Sequence, residues 1–191
     1  MAPGGERIAR IYTRTGDAGE TGLAHGGRIA KDSLRVAASG DLDELGAHLG
    51  LARSTLSDPS SELAKLLLRL QHELYVAQSE VSTPADAPAP KHLLGEQHIR
   101  RLEEEIDRYA DTFEPVHTFV LPGGKAAGSQ LHVARTVARR AERELWALHR
   151  REPLRRELLI WANRLSDLLF ALALSANRSE GFVETPPDYA V

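Results

Sequence analysis

Residues 154–174 read LRRELLIWANRLSDLLFALAL, and this stretch decides the fold. Its large apolar side chains recur at spacings of three and four residues: Leu154, Leu158, Trp161, Leu165, Leu168 and Leu172. This period is that of an α-helix with one buried face. Leu169, Phe170 and Leu174 make the second half apolar on most sides, which predicts a central helix. The most apolar run, 168–176, is far shorter than the roughly 20 residues of a membrane-spanning helix, so it indicates buried core.

Four more stripes with the same helical period precede this one. Their members are Leu42, Leu45, Leu49, Ala52 and Leu56; Leu63, Leu66, Leu70, Leu74 and Ala77; Ile99, Leu102, Ile106, Tyr109 and Phe113; and Leu131, Ala134, Ala138, Ala141, Leu145 and Leu148. Asp41 and Glu44 resemble a capping box, which predicts that the first helix begins there. Asp58-Pro59 resembles an N-cap with a proline at the first helical position, and predicts the start of the second helix. The central alanines of the last stripe would let a neighbouring helix approach closely.

The segments that connect the stripes are short or irregular. Residues 82–90 are rich in Pro and Ala and lack periodicity, so we expect a surface loop. Residues 118–121 are β-branched and apolar, but Pro122-Gly123-Gly124 ends them, which predicts a short extended segment. The predicted fold class is all-α, a five-helix antiparallel bundle with an N-terminal glycine/threonine-rich loop. We expect one domain over 1–191, with an arm at 1–38, the bundle at 39–179 and an irregular tail at 180–191.

Composition excludes several classes of protein. With 191 residues, of which 42% are hydrophobic and 27% charged, the chain suits one globular domain. Its formal charge of -3 argues against general nucleic-acid binding, which needs a basic surface. It contains no cysteine, which excludes disulfides, thiolate metal sites and cysteine nucleophiles. The first ten residues contain no apolar leader, so we expect a cytoplasmic location and no membrane association.

A polar, glycine-rich stretch precedes the first helix. Residues 12–22 read YTRTGDAGETG, and Arg28 and Lys31 follow. Glycines let backbone N–H groups face an anion, while threonine hydroxyls and basic side chains add hydrogen bonds and charge. The pattern is compatible with a phosphate-binding loop, although it is not a Walker motif. Taken alone, these residues fit a flexible arm better, because Gly and Thr clusters usually mark loops.

A cationic face is predicted on the fourth helix. Arg135, Arg139 and Arg143 are four residues apart and so share one side of it. Their mutual repulsion favours binding of an anion, but a solvated face of extended arginines fits the spacing equally well. Glu142 could pair with Arg139 or hold a magnesium ion that a polyphosphate would bring.

Polar residues also interrupt the fifth helix. Asn163 and Asp167 need specific partners if they are buried there. Asn163 is the better ligand candidate, whereas Asp167 fits an internal hydrogen-bond network. A di-iron bundle is excluded because no helical Glu-x-x-His pair occurs, and no Gly-x-Ser-x-Gly elbow indicates a hydrolase.

Six motifs occur in order along the chain: Thr13-Arg14-Thr15-Gly16-Asp17-Ala18-Gly19, Asp32-Ser33-Leu34-Arg35-Val36, Gly40-Asp41-Leu42-Asp43-Glu44-Leu45, Leu121-Pro122-Gly123-Gly124, Arg139-Arg140-Ala141-Glu142-Arg143 and Asn163-Arg164-Leu165-Ser166-Asp167. Together they resemble the motifs of the ATP:cob(I)alamin adenosyltransferases of the propanediol-utilisation type, over Ile11 to about Ala176. Asp41, Trp161 and Ala162 depart from residues common in that family. Because all six motifs occur together and in order, a functional role is favoured for the N-terminal arm and for the cationic face of the fourth helix.

The resemblance implies a homotrimer that holds ATP at subunit interfaces, between one chain's N-terminal loop and another's fourth and fifth helices. The positions implied to contact ATP or its metal are Thr13, Arg14, Thr15, Gly16, Thr21, Gly22, Lys31, Arg139, Glu142, Arg143 and Asn163. Glu142 is the implied metal ligand, and Arg139 also has a catalytic role. Asp43 matches an aspartate that pairs with the arginine at Arg135 across the interface. Phe119 matches a phenylalanine that displaces the lower ligand of the corrinoid, whereas the local sequence alone would place it in the core.

The implied activity transfers the 5′-deoxyadenosyl group of ATP to the cobalt of cob(I)alamin, with Mg2+ on the ATP, and gives adenosylcobalamin and triphosphate. Cob(I)alamin is itself a strong nucleophile, so the protein must position the reactants and stabilise the leaving charge rather than supply a base. An adenosylcobalamin-dependent enzyme is the implied acceptor of the product. Two alternatives stay open: a non-catalytic bundle that senses nucleotide or hands over corrinoid, and a purely structural bundle.

Overall fold

Five helices form the fold in this computed structural model, which describes residues 12–24 and 27–190. They are α1 (Leu34–Ser54), α2 (Glu62–Val81), α3 (Glu96–Ala110), α4 (Ala126–His149) and α5 (Arg156–Ser179). The predicted all-α, five-helix bundle is confirmed. Two short strands that the sequence did not predict, β1 (Glu20–Gly22) and β2 (Arg28–Ala30), pair antiparallel in the N-terminal arm. The segment 118–121 forms no strand and the tail after Gly181 is irregular, as expected.

The first helix begins earlier than its leucine stripe indicates. Its N-cap is Ser33, whose Oγ accepts a hydrogen bond from the Val36 N–H at 3.4 Å. The predicted capping box at Asp41 and Glu44 is therefore wrong. Both carboxylates lie inside α1 and bind Arg140 of α4, with 3.0 Å between Arg140 Nε and Asp41 Oδ1. Two carboxylates three residues apart can form a capping box, or they can bind a cation of a neighbouring helix. Their spacing in the sequence does not distinguish these two roles.

The second helix begins later than predicted. Its N-cap is Ser61, whose Oγ accepts from the Ala64 N–H at 3.2 Å. The side chain of Asp58 instead accepts a hydrogen bond from the Ser60 N–H at 2.8 Å. Asp58-Pro59 thus forms a turn ahead of the helix, because an Asx turn and an N-cap use the same side-chain oxygen. Residues 82–90 contain no helix or strand, as predicted.

Helix α4 packs against both α1 and α5, and this pair of contacts organises the core. The α4 alanines at 134, 138 and 141 are at most 2% exposed, and their small side chains allow close approach. Helix α5 has the length and composition of a membrane span, but 67% of its most apolar window is buried inside the bundle. Its central position is confirmed, and it also packs against α3.

A buried arginine ties the start of α1 to distant parts of the chain. Arg35 is 3% exposed, and its guanidinium donates to the main-chain carbonyls of Val81 and Thr83 and to the carboxylate of Glu152. A buried guanidinium is costly unless its donors are satisfied. These contacts hold the N-terminus of α1 against the end of α2 and the α4–α5 connection.

A buried asparagine caps α4 from the far end of α5. Asn177 has 0% exposure; its Oδ1 accepts from the Lys125 N–H at 2.9 Å and its Nδ2 donates to the Gly123 carbonyl at 2.8 Å. Lys125, the N-cap residue of α4, supplies no side-chain cap itself, so Asn177 satisfies one of the free N–H groups. Gly128 leaves room for it, since a Cβ there would overlap the Asn177 amide.

We expect Gly128→Ala to destabilise the fold by about 1–3 kcal/mol, as overpacked interiors do. The added methyl group displaces a fully buried amide and breaks the bonds that Asn177 makes to Gly123 and Lys125. Gly46→Ala in α1 is the matched control, because the nearest atom to its new Cβ would be Leu74 Cδ1 at 3.9 Å. That variant should be neutral or stabilised by up to about 1 kcal/mol. Urea unfolding measures both; equal stabilities would refute the packing role of Gly128.

Candidate functional site

The N-terminal arm is a short hairpin that its own arginine holds together. Strands β1 and β2 pair with Thr21 opposite Ile29. Arg28 Nη2 donates to the main-chain carbonyls of Glu20, at 3.0 Å, and Thr15, and its Nε donates to the Glu20 carboxylate at 3.4 Å. Arg28 therefore organises the arm, although the sequence had suggested it as a further anion-binding cation.

The turn before β1 gathers hydroxyl and cationic groups at the surface. Thr13 and Thr15 hydrogen-bond through their Oγ1 atoms at 2.8 Å. Arg14 has a positive φ of 63°, a conformation that is uncommon outside glycine and frequent at functional turns. Gly16 leaves space for Lys31, because a Cβ at Gly16 would lie 3.0 Å from Lys31 Nζ. These exposed groups can meet an anion without moving the bundle.

A cavity lies between the base of the arm and the helices α1 and α2. Thr21, Gly22 and Asp43 line this cavity of about 290 Å³ together with residues of α1 and α2. Asp43 is exposed. The structure thus brings Thr21 and Gly22 of the arm to the same cavity as the candidate aspartate Asp43.

The cationic face of α4 is present as predicted. Arg135 lies over the Phe170 ring at 5.9 Å, and its Nε is buried with no hydrogen-bond partner among the described residues. Burial and the neighbouring charge of Arg139 lower the pKa of Arg135. Arg139 and Arg143 are exposed, and within the described ranges no carboxylate lies at ion-pair distance from either guanidinium. Three cations thus share one face, and the described residues supply no counter-ion to any of them.

Asn163 and Glu142 meet beside this face. Asn163 Nδ2 donates to Glu142 Oε1 at 3.1 Å, and Asn163 Oδ1 accepts from Arg164 Nη1 at 2.8 Å. Glu142 therefore pairs with Asn163 and not with Arg139. The expected internal network for Asp167 is wrong: Asp167 is exposed, and the described part of the chain offers its side chain no hydrogen bond.

A cavity of about 500 Å³ lies between residues 116–120 and the adjoining faces of α4 and α5. Phe119, Arg135, Arg139, Asp167 and Phe170 contribute to its walls. The Phe119 side chain is 81% exposed, so the local expectation that it belongs to the core is wrong. An aromatic ring and two arginines that face one open cavity can bind a large, partly aromatic ligand that carries negative charge.

The structure groups the predicted positions into two sets within one chain. The first set lies on the arm and α1: Thr13, Arg14, Thr15, Gly16, Thr21, Gly22, Lys31 and Asp43. The second lies on α4, α5 and the segment before α4: Phe119, Arg135, Arg139, Glu142, Arg143 and Asn163. Across the described residues, no hydrogen bond or ion pair joins the two sets, and neither cavity is lined by both.

Several wall residues of this cavity were not predicted from the sequence, among them Ser166 and Phe170 of α5. Phe170 was counted only as core, yet Ser166 and Phe170 follow Asn163 by three and seven residues. These are helical spacings that place all three on one face. A helical projection from Asn163 would have found them. Within the described residues, no group of three or more acidic or histidine side chains is arranged to hold a metal.

Comparison with known proteins gives matches over most of this chain. A family model described as cobalamin adenosyltransferase matches residues 11–176. A cobalamin adenosyltransferase from Cupriavidus metallidurans is 42% identical over 177 residues, which are 93% of each chain. A corrinoid adenosyltransferase from Mycobacterium leprae is 41% identical over 186 residues, covering 94% of this chain and 97% of the relative.

A solved structure is similar to this chain in its fold as well as in its sequence. It is a variant of the PduO-type ATP:corrinoid adenosyltransferase from Lactobacillus reuteri, complexed with cobalamin and ATP, with a TM-score of 0.87 and 37% identity. The match covers 93% of this chain and 99% of that one. Since the family model and these relatives span the arm, α4 and α5 together, this chain belongs to the cobalamin adenosyltransferase family.

Proposed function

We propose that this chain transfers the 5′-deoxyadenosyl group of ATP to the cobalt of cob(I)alamin, with release of triphosphate. The observation that carries the proposal is the open cavity in which Phe119 faces Arg135 and Arg139. In the reaction the cobalt electron pair forms a bond to C5′, the C5′–O bond breaks, and its electrons remain on the triphosphate oxygen. The protein therefore has to place two large substrates in line and stabilise a departing polyanion.

The arm and the arginine face supply the charge that this leaving group needs. Arg139 and Arg143 lie exposed on α4, and no carboxylate of residues 12–24 or 27–190 pairs with them, so binding a phosphate breaks no ion pair of this part of the chain. Lys31 and the hydroxyls of Thr13 and Thr15 form the matching surface on the arm. Because cob(I)alamin is nucleophilic without deprotonation, the site needs no general base.

A magnesium ion is proposed to accompany the ATP. Glu142 is the only carboxylate assigned to it, and Asn163 orients that carboxylate through a 3.1 Å hydrogen bond. One protein carboxylate suffices where phosphate oxygens and water complete the octahedron, as is usual for Mg2+. When bound, the ion would neutralise part of the triphosphate charge.

We further propose that the active form is a homotrimer, with each site shared between two subunits. Support comes from the division of the candidate residues into two sets that one chain does not bring together. Arg135 is half-buried, and its Nε has no hydrogen-bond partner in the described part of the chain. Its charge is complementary to that of the exposed Asp43, so a neighbouring copy can join the two side chains. Trp146 and Val133 on α4 are exposed apolar side chains that an interface would cover.

Phe119 is proposed to lie beneath the corrin ring and displace its lower nitrogen ligand. Its high exposure supports this role, since the ring is free to contact a ligand. Loss of that ligand leaves cobalt four-coordinate and easier to reduce to the nucleophilic state. The cytoplasm, where ATP and reducing power coexist, is the proposed location, and an adenosylcobalamin-dependent enzyme is the proposed acceptor.

The test of the proposed function mixes the pure protein with Mg-ATP and chemically reduced cobalamin and follows the absorbance of adenosylcobalamin. Arg139→Ala should lower kcat/KM by an amount equivalent to about 3 kcal/mol, because it removes a cation from the leaving triphosphate. Its neighbour Arg140 is the matched control, since it already pairs with Asp41 and Glu44. Arg140→Ala should cost about 1 kcal/mol of stability or less and leave turnover largely intact. Substrate binding without product would favour the non-catalytic alternative.

For Phe119→Ala we expect a change in stability of less than about 0.5 kcal/mol, as for other exposed side chains. Activity should fall sharply when cob(II)alamin must be reduced in the assay, and much less when cob(I)alamin is supplied. The spectrum of bound cob(II)alamin reports four-coordinate cobalt on the same variant. Tyr75→Ala, which removes an exposed aromatic ring of α2, serves as the control. A large drop in melting temperature with an unchanged spectrum would show that Phe119 acts as a core residue and does not contact the corrin.

Charge reversal tests the shared site. Asp43→Arg and Arg135→Asp should each weaken ATP binding or trimer assembly, and the double variant should recover at least about 1 kcal/mol of the loss. Analytical ultracentrifugation measures assembly, and nucleotide titration measures binding. Strictly additive effects would exclude contact between the two side chains.

A further inference from the structure

The chain turns back on itself directly after α5. The N–H groups of Glu180 and Phe182 both donate to the Asn177 carbonyl, at 3.1 and 2.9 Å, and the Gly181 N–H donates to the Arg178 carbonyl at 3.0 Å. This turn brings Glu184 back against the bundle, while its neighbours Val183 and Thr185 stay exposed. Glu184 is consequently only 5% exposed, although the tail around it is irregular.

The buried Glu184 carboxylate is paired on both oxygens. Oε1 accepts from Asn177 Nδ2 at 2.7 Å, and Oε2 pairs with Arg178. Burial raises the pKa of Glu184, but the hydrogen bonds from Asn177 and Arg178 outweigh it and hold that pKa below its usual value. His132 lies 3.9 Å away, and burial together with the charge of Arg135 lowers the pKa of His132. Arg178 is therefore the cationic partner of Glu184 at neutral pH.

Through Asn177 and the tail, this carboxylate reaches the segment that carries Phe119. Asn177 Nδ2, which Glu184 orients, also donates to the Gly123 carbonyl at 2.8 Å. One residue past Glu184, the Thr185 carbonyl accepts the Leu121 N–H at 2.8 Å. Phe119 is two residues from Leu121, and since its ring is 81% exposed, the core does not fix it. Its main chain sets its position.

We propose that Glu184 is a positioning residue for the transfer reaction, holding residues 119–123 in place through Asn177 and the Thr185–Leu121 hydrogen bond. Glu184 and Asn177 both lie outside residues 11–176, the span that the family model matches. The inference rests on the proposed role of Phe119 under the corrin. A ring that must displace a metal ligand has to be held within a fraction of an ångström, which an unsupported loop with two glycines does not provide.

Glu184→Gln is the first test. The amide keeps an oxygen for Asn177 but places an N–H group against Arg178, so the ion pair is lost. In the assay that starts from cob(II)alamin, we expect the rate to fall about tenfold, and with supplied cob(I)alamin by no more than about twofold. The four-coordinate signal of bound cob(II)alamin should fall in parallel, while ATP affinity stays unchanged. Glu180→Gln, an exposed acid of the same tail, should change none of these quantities.

Leu121→Pro provides a second test that leaves the bundle interior untouched. It removes the N–H that donates to Thr185, whereas Leu121→Ala keeps it, and the Leu121 side chain is 53% exposed. The proline variant should show the same losses as Glu184→Gln, in the rate from cob(II)alamin and in the four-coordinate signal, and the alanine variant should show neither loss. The proposal would be overturned if Leu121→Pro kept two wild-type properties: the ratio of the rate from cob(II)alamin to the rate from supplied cob(I)alamin, and the spectrum of bound cob(II)alamin. If Phe119→Ala also left both readouts unchanged, the role of Phe119 itself would fail instead.

Discussion

The close packing of α4 between α1 and α5 is the constraint on which the rest of the molecule depends. Alanines at 134, 138 and 141 let the neighbouring helices approach, and with other buried residues such as Leu131 and Leu145 they form the core-facing side of α4. The other side then has to carry the polar residues, and three arginines four residues apart occupy it. The same spacing that builds the core therefore also aligns the cations.

Charge balance separates structural arginines from functional ones in this chain. Arg140 is fixed by Asp41 and Glu44, and Arg35 by Glu152 and main-chain carbonyls. Arg139 and Arg135 share the helix with Arg140 but find no carboxylate within the described residues. A cluster of unneutralised cations is unfavourable unless an anion binds. ATP is the anion proposed for Arg139, and Asp43 of a second copy is the anion proposed for Arg135.

Helical periodicity predicted the existence of all five helices and the face of α4 that carries the arginines, because both follow from residues three or four apart. It failed at the helix starts, where Asp41 and Asp58 bind Arg140 and the Ser60 N–H instead of capping. It also could not find the contact of Asn177 with Gly123, which lie 54 residues apart. The pairing of Glu184 with Arg178 was missed as well, because it depends on the turn that follows α5. Phe119 shows the limit most clearly: its hydrophobicity indicated core, and only the family resemblance pointed to an exposed role.

The proposed catalysis depends on position and charge, without proton transfer by the protein. Its most direct test is the pH dependence of single-turnover adenosyl transfer from supplied cob(I)alamin at saturating Mg-ATP. The rate should stay flat between about pH 6.5 and 9, because the nucleophile needs no deprotonation and arginines stay charged throughout. A tenfold change per pH unit across part of that range would place a titrating side chain in the transfer step and contradict the account.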